Sequence, residues 1–152
     1  MQGDITMKSY TLNFKGFIPE GLLSSFMPES SGIYIVHASS KIRAIFSDQR
    51  RLLYIGKANN LKDRVNPNHE NYSEWKGALR ENETLEFSYA AIDEDEEVLF
   101  RIESALIFEN QPLVNGQSKK SFNYEDTIVY SNGTIGALKP LVFARRDSQK
   151  VS

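Results

Sequence analysis

Three runs decide how this chain folds: Gly32-Ile33-Tyr34-Ile35-Val36-His37, then Leu52-Leu53-Tyr54-Ile55-Gly56-Lys57, then Leu61-Lys62-Asp63-Arg64. The first two are rich in β-branched and aromatic residues and read as strands. Side chains alternate faces along a strand, so Tyr34 stands opposite Ile33 and Ile35, and Tyr54 opposite Leu53 and Ile55. Ser47-Asp48-Gln49-Arg50 reads as the turn between them, and Ile42 to Phe46 as a further piece of strand. The third run opens a helix, with Asn59 or Asn60 as N-cap. Paired phenols, nearby cations and a helix start make a cradle suited to a phosphate group.

Working outward, 152 residues are most simply one domain with a core of its own. Cysteine is absent, which excludes disulfides, thiolate nucleophiles and cysteine-held zinc and fits a cytoplasmic protein. Neither a membrane span nor a signal peptide is expected. Residues 1–6 carry little pattern, and Met7 can serve as the natural start. The formal charge is −2, which does not announce a nucleic-acid binder. Its distribution says more. Lys41, Arg43, Arg50, Arg51, Lys57, Lys62 and Arg64 face only Asp48 and Asp63, while residues 81–109 are predominantly acidic. A local basic face can bind phosphate on an acidic chain, although charge alone equally describes two solvated faces.

Elsewhere, Tyr10, Leu12, Phe14 and Phe17 alternate as in a strand, and Pro19-Glu20 opens a short helix through Leu22, Leu23 and Phe26. The helix that starts near Asn60 stops before Pro67. Another runs from Tyr72 to about Arg80, with Trp75 and Leu79 one turn apart. Thr84 to Ile92 is a strand. Asp93 or Asp95 then caps a helix to about Glu109, whose first-turn acids suit its dipole. Thr127–Tyr130, Asn132-Gly133 and Thr134-Ile135 read as a tight hairpin. Glu103 stands out, because Leu99, Phe100, Leu106 and Ile107 surround it at helical spacing. A carboxylate beside a core face is costly unless compensated. It is either paired to an arginine such as Arg64, or it is a metal ligand or catalytic carboxylate.

In this order, Gly32-Ile33-Tyr34, Tyr54-Ile55-Gly56-Lys57, Leu61-x-x-Arg64, Glu103 and Pro112-x-x-Asn115 resemble the GIY-YIG nuclease superfamily. The resemblance covers residues 32–116, flanked by extensions at 1–31 and 117–152. It implies an α+β fold, a small central antiparallel sheet flanked by helices. It also implies a metal-dependent endonuclease that hydrolyses phosphodiesters, in DNA before RNA, with one divalent ion, Mg²⁺ or Mn²⁺. By the same resemblance Tyr34 helps deprotonate the attacking water and Tyr54 positions water or phosphate. Lys57 and Arg64 hold the scissile phosphate, Glu103 is the metal ligand, and Asn115 steadies the site.

The family often has a histidine or tyrosine four residues after the arginine. Here that position is Asn68, so His69 or Tyr72 takes the role, and His37 reads as structural or surface. Lys62, Arg50 and Arg51 join Lys57 and Arg64 as expected nucleic-acid contacts. Nineteen residues separate the two triplets, longer than is usual in the family. A plain hairpin would pair Ile42 with Ile55 and put the tyrosines out of register, so a bulge or loop near Ala38–Lys41 is expected. A compact chain of this kind suits a restriction or defence enzyme, working as a homodimer where both strands are cut. The alternatives are a non-catalytic nucleic-acid-binding module on the same scaffold and a small protein-interaction domain, which salt-sensitive DNA binding would distinguish.

Overall fold

The alternation in the two tyrosine runs is what divides the core. In the computed structural model, which describes residues 6–40 and 50–151, β1 is Lys8–Pro19, followed by a 3₁₀ turn at Glu20–Leu22 and helix α1 at Leu23–Phe26. Then come β2 at Gly32–Ser40, β3 at Arg50–Ala58, α2 at Leu61–Arg64, α3 at Tyr72–Gly77, β4 at Glu83–Ala91 and α4 at Glu96–Asn110. Short strands β5 at Ser121–Phe122, β6 at Thr127–Gly133, β7 at Leu141–Ala144 and β8 at Ser148–Gln149 close the chain. The expected strand at Ile42–Phe46 and the turn from Ser47 fall mainly outside the described residues. Among the described residues no helix is long and apolar enough to cross a membrane.

The fold is α+β, as the resemblance implied. The sheet runs in the order β3-β2-β4-β1-β6-β7, with β3-β2-β4-β1 antiparallel throughout. The C-terminal extension joins this sheet. β6 pairs with β1 in parallel, making the whole sheet mixed, and β7 pairs with β6 antiparallel. This corrects the expected tight hairpin at Asn132-Gly133: β6 continues through Gly133, and the chain returns only at Leu141. Seven residues of β1 pair with β6, and that ladder holds the segment extended past the turn signal.

One face of the sheet presents Ile33, Ile35, Ile55, Leu12, Phe14 and Val129 to Ile102, Leu106 and Ile107 of α4. The opposite face presents Tyr34, Val36, Tyr54, Leu85 and Phe87 to Leu23, Leu61, Val65 and Trp75. Each large apolar side chain so buried is worth about 1.5–3 kcal/mol. Leu53 departs from the expected alternation and packs on the tyrosine face with Tyr54. The cause is a bulge between Val36 and His37. Val36 opposes Tyr54 and His37 opposes Leu52, so Leu53 is the extra residue. The bulge thus lies just before the expected Ala38–Lys41. Tyr34 then faces Gly56, two residues from Tyr54.

α2 is a single turn. Asn60 caps it, its side chain accepting from the Asp63 N–H, and Val65 already leaves helical geometry ahead of Pro67. α3 stops at Gly77 rather than near Arg80, in keeping with glycine's low helix propensity. Asp95, not Asp93, caps α4 by accepting from the Val98 N–H.

Candidate active site

β3 is an edge strand of the sheet, and the candidate site gathers along it. A side chain at Gly56 would overlap the ring and hydroxyl of Tyr34, so only glycine lets that ring lie across β3. Gly32 is equally constrained, since a Cβ there would run into the Ala90 carbonyl of the next strand. Each glycine therefore has a steric reason: Gly56 makes room for the Tyr34 ring, and Gly32 for the close approach of β4. The Tyr34 ring stacks with that of Tyr54 at a centroid distance of 6.1 Å and 25° between planes.

The open side of β3 is sealed from beyond α4. The Val114 N–H donates to the Leu53 carbonyl at 2.8 Å. Asn115 then takes both backbone groups of Ile55: its Oδ1 accepts from the N–H and its Nδ2 donates to the carbonyl, each at 2.9 Å. One buried amide replaces a missing strand on either side of the residue that follows Tyr54. Asn115 steadies the strand from behind the cleft.

Tyr34, Tyr54, Lys57, Arg64 and Glu103 line one cleft of about 380 Å³, together with Asn59, Glu70, Phe100 and Gln117. His69 lies behind the tyrosines, its Nε2 2.7 Å from the Tyr34 hydroxyl. The intervening Asn66-Pro67-Asn68 loop explains why His69 rather than Asn68 arrives there. Asn66 ties the loop by donating to the Asp63 carbonyl and accepting from the Asn68 N–H. Tyr72 is turned to Glu20, to which its hydroxyl donates, and does not line the cleft. His37 is buried elsewhere and accepts from the Ala137 N–H.

Not every basic residue read from the sequence reaches this cleft. Arg50 and Arg51 sit at the other end of β3, on Glu86 at 2.8 Å and Glu83 at 2.6 Å. Arg50 also covers the Phe17 ring. Lys62 lines a separate groove with Glu20, Leu23 and Asn66.

The electrostatics of the cleft are unusual. Glu103 is 5% exposed, its Oε1 has no hydrogen-bond partner, and it makes no ion pair among the described residues. Burial pushes its carboxyl up to about 7, against the pull of the Lys57 ammonium and backbone N–H and of Arg64. Of the two sequence readings of Glu103, the pairing with Arg64 is not what the structure shows. Arg64 instead grips Glu70 through both terminal nitrogens at 2.5 Å each. Those bonds raise the Arg64 guanidinium and pull Glu70 down to about 2.

Burial likewise raises both phenols. The Tyr54 charge adds to it at Tyr34, and the Glu103 charge at Tyr54. Tyr34 is therefore a neutral phenol in the substrate-free protein, although Arg64 favours its phenolate. His69 is depressed to about 4, by burial first and then by Arg64. It stays neutral near pH 7. The Asn71 N–H donates to its Nδ1 at 3.0 Å, which leaves the ring proton on Nε2. His69 thus donates to the Tyr34 oxygen.

Four neighbours escaped the sequence reading. Trp75, expected as helix core, also backs the site, 4.4 Å from the His69 ring and 5.3 Å from the Tyr54 ring. Glu70, Phe100 and Gln117 line the cleft. Phe100 precedes Glu103 by three residues and so shares its helix face, a signal available in the spacing. Glu70 carried no periodic signal.

A comparison with known families matches residues 30–116 to the UvrC-like GIY-YIG domain. UvrABC system protein C of Pediococcus pentosaceus is 36% identical over 74 residues, a stretch that covers 49% of this chain and 12% of that relative. No solved structure matches.

Proposed function

The chain belongs to the UvrC-like GIY-YIG domain family, and we propose that it is a metal-dependent endonuclease hydrolysing phosphodiester bonds, in DNA first. The observation that carries this reading is Glu103. A buried carboxylate with an unpartnered oxygen, facing a cleft that also holds two phenols and an arginine, is a poor choice for packing. The same orphan oxygen is what a hard divalent cation needs from a protein, and Glu103 is the residue that would hold it. Such an ion, Mg²⁺ or Mn²⁺, supplies positive charge that neutralises the phosphate and favours the phenolate of Tyr34.

The chain's own groups do the rest. Arg64 and Lys57 bind and orient the scissile phosphate and stabilise the charge that grows on its oxygens. Tyr34 Oη, once its own proton has passed through the open cleft to bulk solvent, accepts the proton of the attacking water. The His69 Nε2–H stabilises that phenolate by donating to it. In this reading His69 is a donor and not the acceptor of the Tyr34 proton. Tyr54 lies beside Tyr34 and orders water or phosphate, and Asn115 holds β3 so that both rings stay in place. A duplex cut in both strands calls for two such sites, which a homodimer would bring.

The test is cleavage of supercoiled plasmid and labelled single strands with Mg²⁺, Mn²⁺ or EDTA, beside Glu103→Ala. Cutting should require metal and disappear in the variant while its fold persists. Nucleic-acid binding without cutting by the wild-type protein would overturn the proposal in favour of a non-catalytic binding module.

A further inference from the structure

Both cations of the cleft already hold an anion. Lys57 Nζ lies 3.2 Å from Glu96 Oε1, a single contact at a solvent-facing acid. Arg64 is engaged far more specifically, with one terminal nitrogen on each oxygen of Glu70. Two parallel N–H···O bonds are also what a guanidinium offers two non-bridging phosphate oxygens. Glu70 is itself part of the cleft wall, with Tyr34, Tyr54 and Glu103. Its carboxylate therefore lies where an anion bound by Arg64 would lie.

Resting on the endonuclease reading above, we propose that Glu70 is a built-in stand-in for the scissile phosphate, and that Arg64 takes the substrate only in exchange for it. The surroundings suit an exchange. The Glu70 side chain is 62% exposed, so it can turn into solvent without a desolvation cost. The residue before it, His69, is anchored at both ring nitrogens, by Asn71 and by Tyr34. Departure of the carboxylate leaves both of these hydrogen bonds in place and removes a negative charge that raises the Tyr34 phenol.

The exchange also defines a substrate class. A phosphodiester and Glu70 each carry one negative charge, so neither wins at Arg64 on charge alone. Glu70 has the advantage of being tethered, which gives it a high effective concentration. A lone anion gains little over it. A strand that engages Lys57 and other groups at the same time recovers the difference, so the site favours a phosphate within a polymer over an isolated one.

The experiment is a double-mutant cycle read by fluorescence anisotropy of a labelled oligonucleotide duplex in EDTA, which prevents cutting. The four proteins are wild type, Glu70→Gln, Arg64→Ala and the double variant. Both side chains are substantially exposed, and thermal melts confirm that each protein folds. Glu70→Gln should tighten binding roughly two- to fivefold, the scale of an exposed ion pair, when Arg64 is present, and by much less in the Arg64→Ala background. Equal tightening in both backgrounds would reduce Glu70 to general charge repulsion and overturn the proposal. Weaker binding by Glu70→Gln would overturn it too, since Glu70 would then support the substrate. Binding by none of the four would bring down the nucleic-acid reading itself, a result distinct from either.

Discussion

The two ends of β3 carry cations of the same kind, each held by a carboxylate, but in different company. At its start, Arg51 bonds Glu83 through two nitrogens and also donates to the Ala78 carbonyl, and Arg50 reaches across β2 to Glu86 on β4. Both guanidiniums there are matched by carboxylates on β4. At its far end Lys57 and Arg64 stand beside a carboxylate that makes no ion pair among the described residues and two phenols that burial keeps protonated. The lesson is that basic residues in a row say little until their counter-charges are known. What marks the second end is uncompensated cost: a buried Glu103 that would be more stable as a neutral or apolar side chain.

The comparison breaks most visibly if the phenol is dispensable. Tyr34→Phe removes only the hydroxyl and leaves the packed ring, so cleavage should fall by about 10²–10⁴-fold in a protein that still unfolds cooperatively, at a somewhat lower midpoint because the buried His69 Nε2–H loses its acceptor. Single-turnover rates near wild type would end its role as base. A smaller effect is expected at the other end. Arg51→Ala should cost about 1–2 kcal/mol in urea unfolding and leave cleavage within a few-fold of wild type. A loss of cleavage matching that of Lys57→Ala would restore Arg51 to the phosphate contact its sequence position suggested.

The smallest effect sharpens the electrostatics. Glu103 has a folded pKa of about 7, above its ordinary 4.5, so the folded protein holds an extra proton between those values and loses stability as pH rises through them. His69 has the opposite sign. Its pKa falls from 6.5 to about 4, so its contribution is lost as pH drops through that window, and the two slopes oppose each other. Glu103→Gln removes one of them. Relative to wild type, the variant should gain stability between about pH 4.5 and 7 in metal-free urea titrations. A constant difference across that range would show that Glu103 is not held at cost.

Much of this arrangement was legible in the order of residues. The tyrosines, the cations after the second strand and the carboxylate inside an apolar helix face announced themselves because period-two and period-3.6 patterns are local. So was the presence of a cap on each of α2 and α4, at Asn59 or Asn60 and at Asp93 or Asp95, between which the structure chose Asn60 and Asp95. The Leu53 bulge was only half legible: a surplus of residues called for one, but its place depended on which backbone groups found partners. The C-terminal hairpin misled because Asn132-Gly133 is a good turn signal in isolation. Lys8–Phe14, more than a hundred residues away in the chain, overrides it by offering β6 a parallel ladder.

By itself, then, the sequence determined which residues make up the candidate site and which elements they ride on, since propensity, alternation and capping act over a few neighbours. Only the tertiary structure decided who stands next to whom. It gave Arg64 to Glu70 instead of Glu103, brought His69 rather than Tyr72 to Tyr34, and left one oxygen of Glu103 without a partner. Those outcomes turn on burial and on hydrogen bonds between distant elements, and neither has a signature along the chain.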